Sequence, residues 1–208
     1  MNASETATPR GALAKIEHLL RAEQAKGEQI TLGALSDAME ERAFGLLLLV
    51  LALPCCLPFV YILPQLVALP MVVLAWQMAS GRNAPWLPET LRKRSMGIQS
   101  LLDVVAQATR YGGWLEKLAH PRILPLTSDR GVRITGALLM VPCLSVLVPL
   151  PLTNTVPGFG VALAAIGLIE RDGLFVIAGV AAGLLWVALL VIGGPTLIYF
   201  LVDFLMNR

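Results

Sequence analysis

Two apolar stretches of the chain, Phe44 to Met78 and Gly136 to Ile169, are each long enough to enter a lipid bilayer, and prolines break both near their middles. A simple anchor is one unbroken run of about 20 apolar residues. Proline lacks an N–H and removes a helical hydrogen bond, so each break exposes backbone groups that hydrocarbon cannot satisfy. Such backbone has to line a cavity or pack against protein. The breaks fall at Pro54, Pro58 and Pro64 in the first stretch and at Pro149, Pro151 and Pro157 in the second. Phe44 to Leu57 would span only about 21 Å as a helix, short of the roughly 30 Å hydrocarbon core. Each unit is therefore expected to be a re-entrant hairpin or one crossing made of two half-helices.

Composition supports a membrane setting. Of the 208 residues, 56% are hydrophobic and 14% charged, where a soluble domain carries about 25% charge. The net charge of +2 is too small to suggest nucleic acid as a partner. Cys55, Cys56 and Cys143 lie inside apolar runs with no CxxC or Cys/His spacing, so no metal, disulfide framework or other cofactor is expected. Met1 to Gln29 contains no apolar core of a secretory signal, and insertion is expected to use the internal segments.

Residues 1–30 read as a polar, partly amphipathic segment, with Leu13, Ile16, Leu19 and Leu20 at helical spacing and Gly27 as its end. A single membrane domain is expected over 31–206: a first repeat (31–81), a connector (82–132), a second repeat (133–173) and C-terminal transmembrane helices (174–206). Thr31 is a plausible cap for a helix carrying Leu32, Leu35 and Met39. The connector has nine basic residues from Arg82 to Arg133 against four acidic ones, which marks it as cytoplasmic. Pro88 should start a helix there, and the stripe Ile98, Leu101, Leu102 and Val105 is expected to lie along the inner membrane face, with Trp86 and Trp114 as aromatic belt residues. Arg92, Lys93 and Arg94 either bind anionic lipid or set topology. Leu174 to Ile192 is an uninterrupted spanning helix, and Gly193, Gly194 and Pro195 lead into a short apolar end.

The two broken stretches share a layout. Arg42 precedes Gly45 as Arg133 precedes Gly136, and Pro58 and Pro149 follow the glycines at equal distance. Discontinuous helices in repeats are the pattern of transporter cores, where half-helix termini and unwound carbonyls converge on a solute.

The run Glu41, Arg42, Ala43, Phe44, Gly45, the segment Pro85, Trp86, Leu87, Pro88, the triplet Leu126, Thr127, Ser128, and Asn154, Thr155, Val156, Pro157 through Glu170, Arg171, Asp172, Gly173 resemble the exopolysaccharide-synthesis ExoD family. The resemblance covers about Thr31 to Val191 and rests on order and spacing. It implies a bacterial inner-membrane protein linked to production of secreted acidic polysaccharide, without a catalytic mechanism to carry over. Cys55 and Cys56 depart from the family pattern, which has polar or small residues there.

No nucleophile and base pair is apparent, since His18 and His120 lie in polar segments without a GxSxG-type motif. Catalysis is not expected. Arg42 and Arg133, at the membrane edge of the two repeats, either meet a phosphate or sugar carboxylate or snorkel to headgroups. Thr153, Asn154 and Thr155 fall in the second break, where they contact substrate or cap exposed backbone. Gln65 and Gln77 lie near membrane depth, where hydrogen bonds between helices compete with a substrate contact. Glu170, Arg171 and Asp172 are expected to form a charged turn with a local ion pair, with a proton-coupling role for Glu170 as the sharper alternative.

The reading is an all-α polytopic membrane protein with two Pro-broken repeats, an amphipathic cytoplasmic connector, membrane lipids as partners, and self-association as a dimer. Two functions compete: a transport or flipping path for an anionic or lipid-linked solute, and a non-transporting scaffold for polysaccharide-assembly enzymes.

Overall fold

The computed structural model describes residues 12–25, 27–39, 42–56, 63–103, 105–106, 120–148 and 153–206, with side chains placed in 17–25 and 27–194 of these. The chain is mostly helical: α1 (Ala12–Gln24), α2 (Leu32–Met39), α3 (Arg42–Ala52), α4 (Leu63–Ala79), α5 (Glu89–Arg92), α6 (residues 98–103), α7 (Asp129–Val146), α8 (Thr155–Glu170) and α9 (Gly173–Met206). Two three-residue strands, β1 (Gln29–Thr31) and β2 (Ser95–Gly97), pair antiparallel with Ile30 opposite Met96.

Five helices, α3, α4, α7, α8 and α9, build the main core around Phe44, Leu48, Met71, Met78, Leu139, Val146, Val161 and Val176. The packing is crossed: α3 lies on α8, and α4 lies on α7. Gly45 permits the first approach, since a Cβ there would stand 2.9 Å from Ala165 O and 2.7 Å from Ile169 Cγ1. Gly136 permits the second, with a Cβ 2.7 Å from Ala75 O and 2.5 Å from Met78 Cβ. The start of each leading helix thus meets the end of the other unit's second helix. Cys55, just past α3, lies against Gly158 at the start of α8. Both broken units are therefore hairpins that open toward the same end, where the connector also lies.

α4 and α8 close with the same backbone device. Gly81 (φ 78°) and Arg171 (φ 56°) are left-handed, and the next N–H reaches back: Arg82 N–H to Gln77 O at 3.2 Å and Asp172 N–H to Gly167 O at 2.8 Å. These bonds use carbonyls that a helix end leaves without intrahelical partners.

The described prolines of the breaks sit at the helix ends that flank them. Pro54 lies in the 3-10 turn Leu53–Cys56 that ends α3. Pro64 and Pro157 sit in the first turns of α4 and α8, where the missing N–H costs no intrahelical bond. Pro58, Pro149 and Pro151 lie outside the described residues. Pro70 and Pro142 stay inside α4 and α7. Nor do Gly193, Gly194 and Pro195 stop the last helix: α9 runs through them for 34 residues, because one proline removes one bond of a ladder whose other bonds persist.

A second, smaller core joins Leu20, Ile30, Leu35, Met39, Ala43, Ile98 and Val105, with Leu101 and Leu102 packed against it. Of the connector stripe, Ile98 and Val105 are buried in this core with Leu20 of α1 and Leu35 and Met39 of α2, while Leu101 and Leu102 are partly buried against it. Two tiny strands cannot be read from hydropathy, yet they bring Ile30 to this stripe. Thr31 does cap α2, accepting the Ala34 N–H at 3.1 Å through its hydroxyl.

Candidate functional site

The residues singled out in the sequence separate into two groups at opposite ends of the hairpins. At the open end, the left-handed turn after α4 meets the head of α7, and a shallow cleft forms between Phe44, Met78, Gly81, Arg82, Asn83, Asp129, Val132 and Arg133. Arg133 lies in the second turn of α7, with its guanidinium flat against Gly81: a Cβ on Gly81 would overlap Arg133 Nε. Arg82 and Asn83 follow from the turn, and Asp129 opens the helix. Arg42, half-buried as the first residue of α3, does not line this cleft, although Phe44 two residues on does.

Beside it, Glu170 and Arg171 end α8, and the turn into α9 differs from expectation. Asp172 makes a long-range ion pair because its side chain points inward, fully buried. It accepts the backbone N–H groups of His120 (Oδ2, 2.9 Å) and Leu174 (Oδ1, 2.9 Å), and Arg122 Nε stands 3.5 Å from Oδ2. Gly173 N–H donates to Arg122 O at 2.8 Å, completing a tie between the connector's end and the α8–α9 turn. Buried carboxylates are tolerated only with such donors. Sequence reading missed this anchor, as the partners lie far apart in the chain.

Gln77 is buried and bonds the connector instead of another helix: its Nε2 donates to Trp86 O at 3.2 Å, and Trp86 N–H donates to its Oε1 at 2.5 Å. This two-point clamp leaves the Trp86 indole exposed. Two residues of the basic run are neutralised, Arg92 by Asp37 at 2.6 Å and Lys93 by Glu89 at 2.8 Å.

At the closed end, Asn154 stands before α8 but does not cap it. Among the described residues its Oδ1 is buried without a hydrogen-bond partner, and so is Gln65 Oε1 at the start of α4. The neighbouring Thr153 carbonyl accepts the Trp186 indole N–H at 3.1 Å, which fixes α9 against the second break. Buried polar atoms are almost always paired, so two open amide oxygens at the two broken ends call for a physical reason. Among the described residues no cluster of His, Cys, Asp or Glu has the arrangement of a metal site.

The family described as "Exopolysaccharide synthesis, ExoD" matches residues 15–192. The uncharacterized protein slr1875 of Synechocystis sp. is 30% identical over 191 residues, covering 86% of this chain and 89% of that protein. Protein ExoD of Rhizobium meliloti is 29% identical over 158 residues, 74% of this chain and 66% of that protein. No solved structure matches the chain.

Proposed function

The chain belongs to the ExoD family of exopolysaccharide synthesis, and from that membership we propose that it is a bacterial inner-membrane protein that supports exopolysaccharide production by giving an anionic or lipid-linked solute a path between its two hairpins. By length and composition, one helix among the described residues is fit to cross a membrane, Gly173–Gly194, with mean hydropathy 2.7. The other bundle helices support embedding in the membrane through their outer faces. Val50 on α3, Leu69 and Trp76 on α4, Ile134 and Leu138 on α7, and Phe159 on α8 are all exposed. Large apolar side chains exposed on every one of these helices suit contact with lipid.

Depth follows from α9. Trp186, beside the second break, lies thirteen residues past Gly173, about 20 Å along the helix. In a hydrocarbon core of about 30 Å the second break, at Thr153, would then lie inside the bilayer, which favours re-entrant units over half-helix crossings. The basic excess of the connector supports its cytoplasmic placement. The crossed packing and matching helix ends favour an internal duplication, with both copies entering from the connector side.

The observation that carries a solute path is the pair of unpartnered buried oxygens, Asn154 Oδ1 and Gln65 Oε1. A purely structural hairpin would fill its break with its own donors. The test is a liposome assay of uptake or flipping with labelled anionic sugars and lipid-linked sugars, paired with exopolysaccharide yield in a complemented deletion strain. The Asn154→Leu, Gln65→Leu double variant is expected to fold and to lose both activities. Unchanged flux and yield overturn the path.

The second reading, a scaffold for polysaccharide-assembly enzymes, is favoured by the small core of α1, α2 and the connector, which builds a folded surface at the open end. Capture of a synthesis enzyme that is lost on deleting residues 1–39, with no flux in liposomes, would decide for it.

A further inference from the structure

The open-end cleft carries three charged side chains that the fold leaves unpaired. Among the described residues, Arg82, Arg133 and Asp129 make no side-chain hydrogen bond or ion pair, and neither does Asn83. Asp129 and Arg133 stand four apart on one helix, the spacing at which opposite charges meet. The same spacing closes elsewhere in this chain: Arg21 meets Glu17 at 2.7 Å and Lys93 meets Glu89 at 2.8 Å. Here it stays open because Arg133 lies across Gly81, where a Cβ would block it. The turn that ends α4 therefore holds a cation apart from its natural anion.

Three features narrow what fits. The enclosed part of the cleft is about 10 Å³, room for one water-sized group. A sugar ring is excluded, and a ligand must enter by its tip while its bulk stays outside. Two guanidiniums favour a phosphate diester, whose free oxygens match their forked donors. A plain anion, however, would face the Asp129 carboxylate as a like charge. That carboxylate and the Asn83 amide oxygen instead suit an ammonium with N–H donors. The floor is apolar, made by Phe44, Met78 and Val132, and Ile134 is exposed one position beyond Arg133.

We propose that this cleft is a phospholipid headgroup site selective for phosphoethanolamine, with Arg82 and Arg133 on the phosphate, Asp129 and Asn83 on the ammonium, and the acyl chains running along the outer face of α7. The proposal rests on the membrane placement above, since the cleft then lies at headgroup level on the connector side. Choline offers no N–H to Asp129, and glycerol offers no positive charge, so both headgroups should bind less well.

The test uses the full chain in detergent, equilibrated with equal amounts of phosphatidylethanolamine, phosphatidylcholine and phosphatidylglycerol of matched acyl chains. Lipid retained on the protein is counted by native mass spectrometry, with soluble glycerophosphoethanolamine as a separate competitor. The expected result is about tenfold preference for phosphatidylethanolamine over phosphatidylcholine, the scale of one charge-assisted hydrogen bond. Asp129→Asn should abolish that preference and raise phosphatidylglycerol retention, while Arg133→Gln should lower retention of all three. Competition by the soluble headgroup alone at equal concentration would assign the site to a free phosphoester and overturn the lipid. Equal retention of ethanolamine and choline lipids, or a preference unmoved by Asp129→Asn, overturns the site. A chain that stays dissolved without detergent and ignores vesicles of every composition overturns the membrane placement itself, a distinct result.

Discussion

Arg133 lays its guanidinium against the α-carbon of Gly81, so the turn that closes α4 and the first turns of α7 are fitted to each other through the absence of one methyl group. Gly81 is required twice over, for its φ of 78° and for this space.

Gly81→Ala is expected to destabilise the protein by about 1–2 kcal/mol from left-handed strain alone, and more once Arg133 is displaced. Arg133→Ala should remove the second part only. Thermal unfolding of both single variants and the double variant in detergent checks this: the double variant should cost less than the two singles together.

The crossed helix packing predicts unequal glycines. Gly45→Val and Gly136→Val drive side chains into the backbones of α8 and α4 and should each cost about 3 kcal/mol or prevent folding. Gly193→Ala, with nothing within 4 Å of its added carbon, should be neutral or stabilising by up to about 1 kcal/mol. Detergent-stable yield and unfolding midpoints would rank them.

Asp172 predicts an asymmetric pair of effects. Asp172→Ala takes the acceptor from the His120 and Leu174 N–H groups and unties the α8–α9 turn from the connector, and should cost about 3 kcal/mol. Arg122→Ala removes a half-exposed guanidinium at 3.5 Å and should cost less than about 1 kcal/mol. Chemical unfolding of the two variants measures the difference.

Asn154→Leu should uncouple stability from activity. Removing a buried oxygen that has no partner among the described residues is expected to raise stability by up to about 1 kcal/mol while exopolysaccharide yield falls. A variant that loses stability and keeps full yield would show that the amide serves packing.

Local signals in the chain carried much of the architecture. Thr31 as a cap, Gly27 as a helix end, Pro88 at the head of α5 and the helical hydropathy of the five bundle elements all depend on residues within one or two turns, and they are legible for that reason. The prolines were legible as interruptions but not in kind: Pro64 and Pro157 begin helices because a first turn needs no N–H there, while Pro142 is housed by Gly183 of α9, whose Cβ would stand 2.9 Å from the proline ring. The cleft was half visible. Arg133 stood out by its place in the repeat, but its separation from Asp129 depends on Gly81, in another helix's cap. Asp172 read as part of a charged turn with a local ion pair, since its burial is decided by Arg122 and His120, about fifty residues earlier. The paired strands and the covered stripe of α6 were illegible, being products of tertiary docking.

The unequal helix lengths have a geometric consequence. Thr153, just before α8, is held beside Trp186, whereas α9 continues to Met206, about 30 Å further. Seated in a bilayer as proposed, the body is a wedge, five helices wide toward the connector and one wide toward the far leaflet. It would displace lipid unequally from the two monolayers, which would couple its insertion to membrane curvature.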